Sequence, residues 1–135
     1  MQNIIRKTLE KGPVVRQITP LRSIEKSKRI AVRTKNSIHV IRVDEIIRCL
    51  ADDNYCTIYY GAGLKIMVAK TLKSVGEVLP SNEFVRVHQS HIVRVSTIHQ
   101  VFHDHIILHN KESIPMSRDC RKGLMNRLEE IATFV

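Results

Sequence analysis

The chain has 135 residues, enough for one domain of ordinary size with a real core, and 43% hydrophobic and 26% charged residues exclude wholesale disorder. Lys and Arg outnumber Asp and Glu by 22 to 13, a net charge of +9, which points to a polyanionic partner, nucleic acid being the commonest. Three cysteines without a Cys-x-x-Cys, no strictly apolar run longer than Ile66–Ala69 and no apolar start of signal-peptide length exclude a disulfide framework, a spanning helix and a secretory signal, so we read a soluble, cytoplasmic protein with no membrane insertion.

Residues 1–33 hold nine basic and two acidic groups, and residues 34–135 hold thirteen and eleven, so the bulk basicity belongs to the first quarter of the chain. Residues 1–28 read as a basic leader or linker. Gly12-Pro13 breaks any helix begun by Ile4, Ile5 and Leu9, and Pro20 interrupts again. Such a leader either touches an anion or is simply solvated. The domain proper spans residues 29–135, beginning with alternating strand patterns at Ile30 and Val32 and at Ile38 and Val40. After the Val43-Asp44-Glu45 break come strands Ile46–Leu50, Tyr55–Tyr60 and Leu64–Ala69. Asp52-Asp53-Asn54 makes a turn, and Gly61-Ala62-Gly63 a hairpin.

Thr71 caps a short helix in which Leu72, Val75 and Val78 or Leu79 share a face, and Pro80 stops it. Strands then follow at Phe84–Val87, Ile92–Val95, Ile98–Phe102, Ile106–Leu108 and Ile114–Met116. Ser117 is the N-cap of a last helix whose apolar face carries Cys120, Leu124, Leu128 and Ile131. No internal repeat stands out. The expected fold is mainly β, with antiparallel sheets and two short helices.

Two stretches can carry recognition. Between the strands Phe84–Val87 and Ile92–Val95, the polar run His88-Gln89-Ser90 sits where the chain reverses. Gln pairs bidentately with adenine in a major groove, and His and Ser suit phosphate; the same side chains also cap turns. In Ser117-Arg118-Asp119-Cys120-Arg121-Lys122, three basic residues crowd a helix start. They oppose the helix dipole at about 0.3–1 kcal/mol, which hints at an external anion; a solvated face accounts for one such charge more readily than for three together. Arg118 can also fork onto guanine O6 and N7.

The run Phe84–Val95, followed by Ile114-Pro115-Met116-Ser117-Arg118 and an amphipathic helix, closely resembles the LytTR DNA-binding domain. The family pattern Phe-x-Arg-x-His-x-Ser-x-Ile-Val and a later Pro-x-Ser-Arg become Phe84, Arg86, His88, Ser90, Ile92, Val93 and Pro115, Ser117, Arg118. Val43-Asp44-Glu45-Ile46-Ile47 and Asp53-Asn54-Tyr55 are similar to the family's first strands and loop, so the likeness covers about residues 29–131. The resemblance implies an elongated fold of antiparallel β-sheets whose loops enter adjacent major grooves of double-stranded DNA. It implies a sequence-specific transcriptional regulator. Gln89 and Arg118 would read bases, the loop Asn54–Cys56, with Tyr55 between, would add a third contact, and Arg86, His88, Ser90 and Ser117 would support the loops or touch phosphates. Arg121 and Lys122 would add charge beside them. The sequence departs from the family where Gln89 replaces a frequent Arg or Asn and where Arg94 replaces a frequent Asn.

The resemblance also implies homodimers on paired DNA sites, an unidentified signalling partner and no cofactor. Many members carry a phosphorylatable receiver domain first; 28 residues cannot house one, so the chain is a freestanding regulator or a fragment, and Met1 favours the former. Other readings compete. A metal-binding protein would use His103 and His105 on one strand face, but no carboxylate or thiol completes a ligand set, and no metal is expected. Paired acids at Asp52-Asp53 sit in a turn, no nucleophile or phosphate-loop motif occurs, and Cys56 lacks an activating base, so no enzyme is expected. An RNA-binding module needs stacking aromatics, and only 4% of residues are aromatic. A pure protein-interaction module is the last alternative.

Overall fold

In the computed structural model, residues 29–135 are described, and the leader expected over residues 1–28 lies outside them. The elements are β1 (Arg29–Arg33), β2 (Ile38–Arg42), β3 (Ile46–Asp52), β4 (Tyr55–Tyr60), β5 (Leu64–Val68), α1 (Leu72–Val78), β6 (Phe84–His88), β7 (His91–Arg94), β8 (Ile98–Val101), β9 (His105–Leu108), β10 (Ser113–Pro115) and α2 (Arg118–Ile131). All pairings are antiparallel: a β1-β2 ribbon, a central sheet in the order β5-β4-β3-β7-β6, and a sheet in the order β10-β9-β8. The mainly β fold with two helices is the expected one.

Alternation along the central strands makes the five-stranded sheet a shared wall. Phe84 and Ile92 turn to one core with Ile41, Ile46, Cys49, Ile58, Leu72 and Val75. Val85, Val87 and Val93 turn to a second core with Ile106, Leu108, Ile114, Met116 and Leu124. Because the side-chain period of a strand is two, one hairpin serves both cores. On the first, α1 comes close enough that a Cβ on Gly76 would stand 2.9 Å from Ile92 Cδ1, so glycine sets the approach. Thr71 caps α1, accepting from Ser74 N–H. Leu79 rather than Val78 completes the buried face; Val78 is exposed. Gly61 and Gly63 take φ of +59° and +84° in the three-residue β4–β5 turn, a backbone that favours glycine.

Several expected strands shift by a residue, and two differences have physical causes. Val95 does not end β7: Val95–Thr97 is a 3-10 turn, and so is the Val43–Glu45 break. The two turns have matching geometry. Arg42 and Arg94 precede them at φ −74° in both, and the amides of Ile46 and Ile98 donate back to Val43 and Val95. Val40-Ile41-Arg42-Val43-x-x-Ile46 and Ile92-Val93-Arg94-Val95-x-x-Ile98 are therefore a local repeat that escaped the sequence reading. On α2, Leu124 is fully buried and Leu128 packs beside it, but Ile131 lies past the core edge and is exposed, so the expected apolar face is shorter by a turn.

Candidate nucleic-acid interface

The register places the polar loops at one end of the central sheet. Asp52 pairs with Tyr55 across the β3–β4 turn, Leu50 pairs with His91, and His88 pairs with His91 across the β6–β7 turn. Ala51 N–H donates to Ser90 O at 2.9 Å, joining the two turns directly. Neighbouring strands lie about 4.8 Å apart, so the two turns are centred roughly 10 Å from one another. The start of α2 joins the same end, because Ser117 N–H donates to Val87 O at 2.8 Å while Ser117 Oγ accepts from Cys120 N–H. A cleft of about 280 Å³ between them is lined by Arg86, His88, Gln89, Ser117, Asp119 and Cys120.

Gln89 is exposed at the tip of its turn, and Arg118 is exposed one residue beyond the tied Ser117. Asn54 is exposed at the β3–β4 turn, where Asp53 takes φ +55°, and Tyr55 is half exposed. Ser90 gives its carbonyl to Ala51 and its amide to His88 Nδ1 at 3.1 Å, so both residues shape the turn. Arg86 donates from Nε to His88 O at 3.0 Å and from Nη2 to Gln89 O at 2.6 Å. Arg121 donates to Phe102 O at 2.8 Å, fastening α2 to the β8–β9 turn, and Arg118 and Arg121 line a second cleft there with His103, Asp104 and Met116. Lys122 is exposed on α2. The end thus combines exposed Asn54, Gln89, Arg118 and Lys122 with a frame of bonded side chains.

Beneath this surface lie Arg48 and His91, to which the sequence assigned no role, and Arg94, noted there only as a departure from the family pattern. Arg48 is buried, pairs with both oxygens of Glu112 at 3.0 Å and lies 3.9 Å over the Tyr59 ring, tying the central sheet to the β9–β10 turn. Its double hydrogen bond holds the Glu112 carboxyl below the usual range. Arg94 donates to the carbonyls of Val43 and Ile46 and to Glu83 Oε1, and its guanidinium lies 4.6 Å from the Phe84 ring centre. His91 stands behind the β6–β7 turn, its ring 5.5 Å from that of His88. Burial, then the charges of His88 and Arg48, lower its pKa to about 4.

His103 is not on a strand with His105 but in the preceding turn, and Asp104 turns back to meet His105 at 2.7 Å. Among the described residues, no group of three or more His, Cys, Asp or Glu could hold a metal ion. Arg48 lies over one face of the Tyr59 ring and Tyr60 packs, partly buried, on the first core, which leaves less ring surface for base stacking. Cys56 is fully buried as a free thiol beside that of Cys49, whose pKa this neighbour and burial push up. No described helix is long and apolar enough to cross a membrane.

What the fold and this end define is a β-scaffold that presents polar and cationic loop tips along one sheet end. A sequence profile of the LytTr DNA-binding domain matches residues 36–129. Among solved structures, the chain is similar to the LytTr DNA-binding domain of a response regulator from Bacillus cereus, with a TM-score of 0.65 and 20% identity over 75% of this chain and 96% of that one. No curated protein matches the sequence. The chain belongs to the LytTR DNA-binding domain family, whose domains are the DNA-binding domains of transcriptional regulators and not an enzyme class.

Proposed function

We propose that the protein is a cytoplasmic transcriptional regulator that recognises a specific sequence in double-stranded DNA through loop tips in the major groove. The observation that carries this reading is the convergence of Gln89 and Arg118 on one sheet end, linked through the Ser117–Val87 hydrogen bond. Gln89 offers an amide to adenine N6 and N7, and Arg118 a fork to guanine O6 and N7. Asn54 and Tyr55, about 10 Å away on the joined turn, add a third contact. Lys122 supplies charge towards phosphates, which sets register and general affinity. Ser90, His88, Ser117 and Arg121 act from behind, because their hydrogen bonds already go to the frame. Two copies on paired half-sites fit a protein whose described residues present one such end.

Selection of bound fragments from a genomic DNA pool tests the reading: one motif emerges, with half-sites about one helical turn apart where two copies bind. A pool that enriches no motif overturns it. On the selected site, Arg118→Ala costs about 1–3 kcal/mol and leaves binding to random DNA nearly unchanged. Equal loss on both DNAs would make Arg118 a phosphate contact only.

A further inference from the structure

We infer that Arg86 sets sequence discrimination without contacting DNA, as a positioning residue that locks the turn presenting Gln89. This rests on the proposed reading of Gln89 as a base contact.

Every carbonyl from Val87 to Ser90 has a donor. Val87 O accepts from Ser117 N–H, Ser90 O from Ala51 N–H, and His88 O and Gln89 O from the two arms of the Arg86 guanidinium. The first two donors are backbone groups of neighbouring elements, so they fix the ends of the turn. One side chain meets both middle carbonyls, and Arg86 is the donor at Gln89 O, while His88 also pairs with His91 across the turn. The Arg86 side chain springs from the strand that leads into the turn, and its planar fork reaches both oxygens. Arg86 is exposed, as Lys122 is, but its Nε and Nη2 are committed to the protein, which makes it a different kind of cation.

Two consequences follow for recognition. The turn is held before DNA arrives, so less ordering has to accompany binding. The carbonyls of His88 and Gln89, which would otherwise aim negative dipole ends towards an anionic duplex, are neutralised by the same guanidinium. A lysine keeps the charge but is a single compact head, without a rigid fork to hold two carbonyls. Charge and positioning can therefore be separated by substitution.

The test uses the full chain and two DNA duplexes, the site selected by the wild-type protein and a scrambled one, each titrated over a range of salt. Arg86→Met and Arg86→Lys are both expected to lose about tenfold in the ratio of selected to scrambled affinity. Binding to the scrambled duplex and its salt slope stay near the wild-type values in Arg86→Lys, and amide exchange at Ser90 quickens in both variants. The inference is overturned if Arg86→Lys keeps the wild-type ratio, or if Arg86→Met instead loses equally on both duplexes with the slope reduced by about one, the signature of a phosphate contact. Should Arg86→Met fail to fold, Arg86→Lys decides alone. A wild-type protein with no preference between the duplexes would instead overturn the base-reading proposal beneath it, so the two failures are distinct.

Discussion

His91 Nδ1 is buried with no hydrogen-bond partner, behind the turn that carries Gln89. Its pKa in the folded protein is about 4, against an ordinary value of 6.5, so between those values the unfolded chain binds more protons than the native one. Stability therefore falls as pH drops from 6.5 to about 4, and Tm measured by circular dichroism should follow. His91→Phe should flatten that dependence above pH 4.5. Below it, Glu112 adds a further loss, because its lowered pKa makes the Arg48 pair a source of stability only while the carboxylate is ionised. Arg94 gives a second prediction. Arg94→Met strips the carbonyls of Val43 and Ile46 and the carboxylate of Glu83 of their donor, which should cost about 3–5 kcal/mol in urea denaturation. Arg94 stood out in the sequence only as a departure from the family pattern, and the burial and partners of neither arginine were legible there. Arg48 finds Glu112 sixty-four positions away, and a lone Arg among apolar strand residues reads as a surface cation until its partners are placed. Gln89 and Arg118 were legible, because local turn and cap chemistry fixes where they stand.

Elements show the same division between local and distant causes. The polar turn between two apolar runs, the Thr71 and Ser117 caps and the Gly61–Gly63 hairpin all came from neighbours within a few positions, and the structure keeps them. What failed was set by packing: Ile131 has the right spacing, but the second core ends before it reaches that turn of α2. The repeated 3-10 turn was hidden because its second copy exchanges Asp44-Glu45 for Ser96-Thr97, leaving only the flanking Arg-Val and Ile as a pattern. Helix α2 bears on function through its packing. Leu124 is fully buried in the second core beside Val85 and Val87, on the strand that leads into the turn carrying Gln89. Leu124→Ala should lower stability by about 2–5 kcal/mol by denaturation. At temperatures where this variant is still folded, it should also weaken binding to the selected site more than to random DNA, since the start of α2 carries Arg118.

For the whole molecule, charge and architecture make separate contributions. Residues 1–33 carry most of the net positive charge, whereas the described domain sets Arg86, Arg118 and Lys122 beside the exposed Asn54 and Gln89 at one sheet end and leaves other exposed cations, such as Lys35, Lys65 and Lys73, elsewhere on its surface. If the leader's cations meet phosphates, a chain lacking residues 1–28 should bind random DNA with a flatter salt dependence and keep its preference for the selected site. An unchanged slope would assign those residues another task. The cross-links described above also bear on how the domain comes apart. Arg94, on the strand feeding the second 3-10 turn, closes the carbonyls of the first, and one hairpin lends its two faces to both cores. Neither half can open while the other persists, so heating should yield a single cooperative transition, with amides of β4 and β9 losing protection together.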